Sequence, residues 1–210
     1  CIVCPFLFLS VLARFPIITI CSERVKLSLA FFRFRHYTGY NRFPQRKENT
    51  DMHLYFSGGA MEIGGSCIYI RLSGRKLLLD CGIRQSAAKD PLPDFRTIQE
   101  QGGVDAILIS HAHMDHIGAL PIISRAYPDA PIYMTLMTAD LTRVLLYDSL
   151  KIMNSREDEI PHYSEQDVLA MLGRIHPIHY HMPFSIFDDF TLTFYPAGHI
   201  AGAACVYLVT

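Results

Sequence analysis

The 210 residues are half apolar, with 19 basic and 20 acidic side chains and a formal net charge of −1. This is the profile of an ordinary folded globular domain, and it excludes the disordered, collagen-like and disulfide-scaffold classes. The charge is unevenly spread: residues 1–51 carry eight Lys and Arg against three Asp and Glu, whereas residues 52–210 carry eleven against seventeen.

Residues 1–51 are expected to be an extension outside the main domain, with Met52 opening the first strand of that domain. Residues 1–21 are apolar, but Pro5, Arg14 and Pro16 interrupt them, and a membrane helix needs about 20 unbroken apolar residues. No basic segment precedes this stretch and no small-residue cleavage site follows it, so it does not read as a signal peptide. Cys1 and Cys4 have the spacing of a zinc half-site without a second pair. Cys67, Cys81 and Cys205 are widely spread in apolar surroundings, which points to a reducing, cytoplasmic location rather than to disulfides.

From Met52 onward the pattern is regular. Short strands are expected over residues 53–56, 66–72 and 76–79, with a glycine-rich loop at 58–65 and a turn at Ser73-Gly74-Arg75, which together make a β-meander. Residues 83–103 read as a long loop with one short helix near 95–101, and residues 104–110 as a buried strand. A helix is expected over 117–126, a strand over 131–134 and a helix over 136–152. Ser164, with Asp167 three residues on, starts a helix that runs to about Leu172. Strands near 175–181 and 190–195, a loop at 196–202 and a strand at 203–209 complete the chain. Strands first, then helices mixed with strands, give an α/β architecture (α+β in some schemes) with a sheet covered by helices.

The chemistry lies in His111-Ala112-His113-Met114-Asp115-His116. At the extended end of a strand, side chains two apart point to the same side, so His111 and His113 suit one metal. Asp115 and His116 enter the next helix, where a carboxylate is favoured by the helix dipole, and from there they can face a second metal. Imidazole and carboxylate together make a ligand set of zinc. His199, between Gly198 and Gly202 in a loop free to approach other backbone, is the candidate third imidazole. Asp80 ends a run of three leucines, where an isolated carboxylate is costly to bury, so it is expected to accept hydrogen bonds that fix the histidines. His176, His179 and His181 resemble a cluster by count, but no carboxylate or Cys stands near them, and they read as structural or solvated.

The order of motifs carries a resemblance. Residues 58–66 (Gly-Gly-Ala-Met-Glu-Ile-Gly-Gly-Ser), Leu79-Asp80-Cys81-Gly82, residues 110–121 from Ser110 to Pro121, and residues 197–204 from Ala197 to Ala204 are similar to the β-CASP branch of the metallo-β-lactamase superfamily. That branch includes ribonuclease J and the cleavage and polyadenylation nuclease. The resemblance implies the N-terminal half of an αββα sandwich over residues 52–210, with the C-terminal half and the β-CASP cap outside them. It implies a zinc enzyme that hydrolyses RNA phosphodiester bonds with a metal-bound hydroxide. His111, His113 and His199 would hold one zinc, and Asp115 and His116 would contribute to a second. Asp80 and Asp115 would be the carboxylates of the catalytic centre.

The family's bridging Asp and a further His would follow Thr210, and no Asp or Glu occurs after Asp189. The expectation is therefore two zinc ions in the complete domain, one in these 210 residues, and weak activity or none from them alone. A small-molecule hydrolase acting on a thioester or lactone, or an inactive fragment, is the competing reading. The acidic balance of residues 52–210 supplies no basic stripe for RNA.

Overall fold

In β-strands successive side chains face opposite sides, so a strand buried on both faces must be apolar throughout. Ile68 to Ile70 and Leu77 to Leu79 have that character, and both faces of this sheet are covered. The computed structural model describes residues 8–12, 15–19, 52–60, 62–84, 90–155 and 161–210.

The central sheet has six strands in the order β3-β4-β5-β6-β7-β8. These are β3 (Met52–Gly58), β4 (Cys67–Leu72), β5 (Arg75–Leu79), β6 (Ala106–Leu108), β7 (Ile132–Met134) and β8 (Ile175–Pro177). The first three form the expected antiparallel meander, and β5 to β8 run parallel to one another. The parallel connections pass through α1 (Arg96–Glu100), α2 (Met114–Ile117), α3 (Leu120–Ala126), α4 (Leu136–Asn154) and α5 (Glu165–Leu172). A second sheet has the order β11-β10-β9, from β9 (Phe184–Phe187), β10 (Phe190–Pro196) and β11 (Ala204–Val209). Near the start of the chain β1 (Phe8–Leu12) and β2 (Phe15–Thr19) pair antiparallel as a separate two-stranded sheet. Cys1, Cys4 and Cys21 lie outside the described residues.

Two apolar cores result, one on each face of the central sheet. Tyr69, Leu78, Ile107 and Ile132 face the helices and pack with Leu120, Ile123, Leu146 and Val168. Their neighbours Ile68, Ile70, Leu77, Leu79 and Leu108 face the second sheet and meet Phe190, Leu192, Phe194 and Val206. Each such side chain, taken fully from water, contributes about 1.5–3 kcal/mol. The layers are therefore helix, sheet and sheet, so the sheet that the sequence leaves bare on one side is covered by β9, β10 and β11. Among the described residues no helix is long and apolar enough to cross a membrane.

Three elements differ from expectation. The strand expected over 175–181 ends at Pro177. Of the helix expected over 117–126, Ile117 closes α2 and α3 starts only at Leu120, because the Ala119 amide is bonded to the Cys81 carbonyl at 2.9 Å and Pro121, without an N–H, starts α3 afresh. Strand β9 is only four residues long, too short for its alternation to stand out between Pro183 and Asp188. At α5 the expectation holds in detail: Ser164 caps the helix and Asp167 returns a bond to the Ser164 amide, a reciprocal capping box.

Candidate metal centre

In open sheets with parallel strands, sites form beyond the carboxyl ends of those strands. Here β5 ends at Asp80, β6 runs on to His111 and His113, and the turn between β10 and β11 brings His199 to the same end. The three histidines converge. His113 Nδ1 lies 3.1 Å from His111 Nε2 and 3.1 Å from His199 Nε2, and the ligand atoms of the three all fall within 4.8 Å of one another. Zinc–nitrogen bonds of about 2.0–2.1 Å at tetrahedral angles separate the nitrogens by about 3.3 Å. The donor set therefore fits one tetrahedral metal with three nitrogens and a fourth position left for water or substrate.

His111 is 7% exposed, and its Nδ1 meets Ser110 Oγ at 3.0 Å, which turns Nε2 toward the other two rings. Burial, the neighbouring His116, His113 and His199, against the opposing pull of Asp80, push its pKa down to about 3. Burial and His199 lower His113 as well. These imidazoles are neutral at pH 7, the form that donates a lone pair to a metal.

Asp80 sits behind the histidines at 4% exposure, with a left-handed φ of 58° that Asp tolerates better than most residues. Oδ1 accepts the Ser110 amide at 2.8 Å, and Oδ2 accepts the Ser110 hydroxyl at 2.8 Å and contacts His116 Nδ1 at 2.7 Å. Burial works to raise the Asp80 pKa, but the charge and hydrogen bond of His116, with help from His111 and the Ser110 amide, outweigh it and hold the carboxyl low. His116 is the converse: burial lowers its pKa, and Asp80 and Asp115 more than restore it, leaving it raised. Asp80 therefore fixes His116 directly and reaches His111 through Ser110, a relay in which Ser110 has no sequence signal beyond its place before the motif.

His116 packs against the triad, its ring centroid 3.9 Å from that of His111, but neither it nor Asp115 belongs to the three-imidazole group. Asp115 Oδ2 lies 3.7 Å from His116 Nε2, and Asp115 is half-buried in the first turn of α2. Among the described residues His176, His179 and His181, read from the sequence as structural or solvated, do not form a metal-holding group. His176 packs on Tyr133, and His181 meets the ring of Tyr195 edge to face at 5.2 Å.

The loop holding Asp115 and His116 is bound to the segment after Asp80. Ser66 N donates to the Asp115 carbonyl at 2.8 Å and Cys81 N to the His116 carbonyl at 2.8 Å. Between them Gly82 has no room for a side chain, since a Cβ there would fall on the Asp115 carbonyl and within 2.5 Å of the His116 amide. Gly82→Ala is expected to destabilise the chain by about 3 kcal/mol or more, because backbone rather than a flexible side chain must give way. Urea unfolding of the variant checks this.

A pH dependence follows from the same burial. In the metal-free chain His111 takes a proton only near pH 3, whereas the unfolded imidazole takes one near 6.5. The unfolded state binds more protons between those values, so stability is fully present above 6.5 and falls as pH drops, by about 1.4 kcal/mol per unit from this one group. His116, raised, is protonated in both states below 6.5 and adds no slope there; its contribution is lost only as pH rises through its folded value. Unfolding free energies measured across this window should rise with pH, and His111→Gln should flatten the rise.

A family model described as a metallo-β-lactamase superfamily domain matches residues 69–210. The chain belongs to the metallo-β-lactamase superfamily. Its relatives include Probable RNase MJ4 of Methanocaldococcus jannaschii, 37% identical over 75% of this chain and 36% of that one. Another is the RNase J-like protein of the same organism, 34% identical over 74% of this chain and 33% of that one. These are the RNA-processing relatives that the glycine-rich motifs imply. The chain spans about a third of their length. Among solved structures a subclass B3 metallo-β-lactamase from a soil metagenome is 18% identical, with a TM-score of 0.47 over 73% of this chain and 54% of that one.

Proposed function

We propose that these residues are part of a zinc-dependent ribonuclease of the β-CASP kind. The observation that carries the reading is the convergence of His111, His113 and His199, from two separate loops, at N···N distances of 3.1 Å. In this reading the three hold one zinc, while Asp115 and His116 contribute to a second, with Asp80 and Ser110 fixing the rings behind them. When bound, the metal supplies a Lewis acid for the phosphoryl oxygen and lowers the pKa of water. The chain's own part is to keep His111 and His113 neutral and to hold the rings aimed. His116 is held on its Nδ1 side by Asp80, and its Nε2 lies 3.7 Å from the half-buried Asp115 carboxylate.

RNA as substrate is supported by the relatives named as ribonucleases. The reading places the protein in the cytoplasm, in keeping with the free thiols of Cys67, Cys81 and Cys205. The test is hydrolysis of a labelled single-stranded RNA by the zinc-loaded chain, beside a thioester and a lactone. Slow RNA cleavage that a chelator abolishes, without turnover of the small esters, is expected. Turnover of the thioester or lactone with intact RNA would overturn the reading in favour of a small-molecule hydrolase.

A further inference from the structure

Thr135 and Thr138 lie at the start of α4, beyond the carboxyl end of β7, and both are buried. Their hydroxyls converge on one atom: Thr135 Oγ1 lies 2.7 Å and Thr138 Oγ1 2.9 Å from the carbonyl oxygen of Gly202. A carbonyl has two lone pairs and each hydroxyl one proton, so both can donate to Gly202 at once. Thr135 Oγ1 keeps its own lone pairs, and one of them accepts the Thr138 amide at 3.2 Å as the helix cap. Gly202 has a φ of 83°, and a Cβ there would come within 2.5–2.8 Å of the Thr138 amide and both hydroxyl oxygens. The fit leaves no slack.

Gly202 is the third residue after His199. The same short loop is closed by Ala197 N donating to the Ala203 carbonyl at 2.9 Å and Ala203 N to the Ile200 carbonyl at 3.0 Å. Ala204 N then donates to the Ser110 carbonyl at 2.8 Å, next to His111. His199 itself is exposed and reaches the centre from a loop, so its position depends on how that loop is held.

We propose that Thr135 and Thr138 are positioning residues for the metal centre: together they grip the Gly202 carbonyl and so fix the loop that presents His199. This rests on reading His199 as a metal ligand. Positioning partners of this kind typically change metal affinity about 10–100-fold when removed. Thr138→Val is the sharper variant, because it keeps the shape and leaves Thr135 free to cap the helix, while Thr138→Ser restores the hydroxyl.

Two measurements on the full chain separate this inference from the reading of the centre. In the metal-free chain, amide exchange at Ala197 and Ala203 should speed up about tenfold or more in Thr138→Val, as a loop losing a grip opens more often, and stay unchanged in Thr138→Ser. With zinc alone as the probe, competition against a chromophoric chelator should show about tenfold weaker binding for Thr138→Val, a further loss in the Thr135→Val/Thr138→Val double variant, and parent affinity for Thr138→Ser. Unchanged exchange at Ala197 and Ala203 in Thr138→Val overturns the grip whether or not the parent binds zinc. Faster exchange with zinc affinity unaltered overturns its role in the centre. A parent chain that binds no zinc defeats the metal reading instead, and the exchange result then decides the grip by itself.

Discussion

His113→Ala should weaken zinc binding by well over 100-fold while leaving the fold intact. Its Nδ1 is the common neighbour of the other two donors, 3.1 Å from His111 Nε2 and 3.1 Å from His199 Nε2, so the substitution removes the middle of the triad rather than an edge. Two imidazoles cannot make the three-nitrogen set of a catalytic zinc site, and the loss should exceed the about 10–100-fold typical of residues that merely support ligands. His113 is only half-buried, so little packing is lost with it. Chelator competition gives the affinity, and a thermal melt of the metal-free variant should match the parent. Retention of tight binding would show that the metal sits elsewhere.

The largest expected effect on stability belongs to Asp80→Ala. The carboxylate accepts from the Ser110 amide and hydroxyl and pairs with His116, all inside the protein. Its removal takes the acceptor from the buried Ser110 amide and hydroxyl and the nearer of two carboxylates from a raised-pKa imidazole, and breaking a buried pair from one side costs about 3–5 kcal/mol. Alanine also resists the left-handed φ of 58° at this position. Asp80→Asn keeps the backbone preference and one acceptor oxygen, so it should lose less. Urea midpoints with an unchanged slope would separate the two variants, and equal stability of Asp80→Ala and the parent would contradict the relay.

Much of this centre is legible in the sequence because its chemistry is local. His111, His113, Asp115 and His116 lie within six residues, and the strand-to-helix junction they occupy dictates which can act together. Asp80 is legible through the cost of burying a carboxylate after three leucines. Ser110 and the threonines at 135 and 138 are not, since a hydroxyl acquires its role only from a partner tens of residues away: Asp80 for the first, the Gly202 carbonyl for the others. The only local hint was a threonine after a strand with a second threonine three residues on. In the fold, the meander and the positions of the later strands follow from apolar runs and turn residues, whereas the parallel pairing of β5 to β8 comes from the structure. The second covering sheet does not, because the two-sided burial of residues 68–70 and 77–79 reads the same whether helices or strands lie over them. The break between α2 and α3 hides for a similar reason: it is set by the Cys81 carbonyl taking the Ala119 amide.

If three imidazoles and no thiolates hold the metal, X-ray absorption at the zinc edge of the chain loaded with one equivalent should show it. The expected first shell is nitrogen and oxygen at about 2.0–2.1 Å with the outer-ring scattering of three imidazoles, reduced to two in His199→Ala. A sulfur shell at about 2.3 Å, or an imidazole count unaffected by His199→Ala, would contradict it.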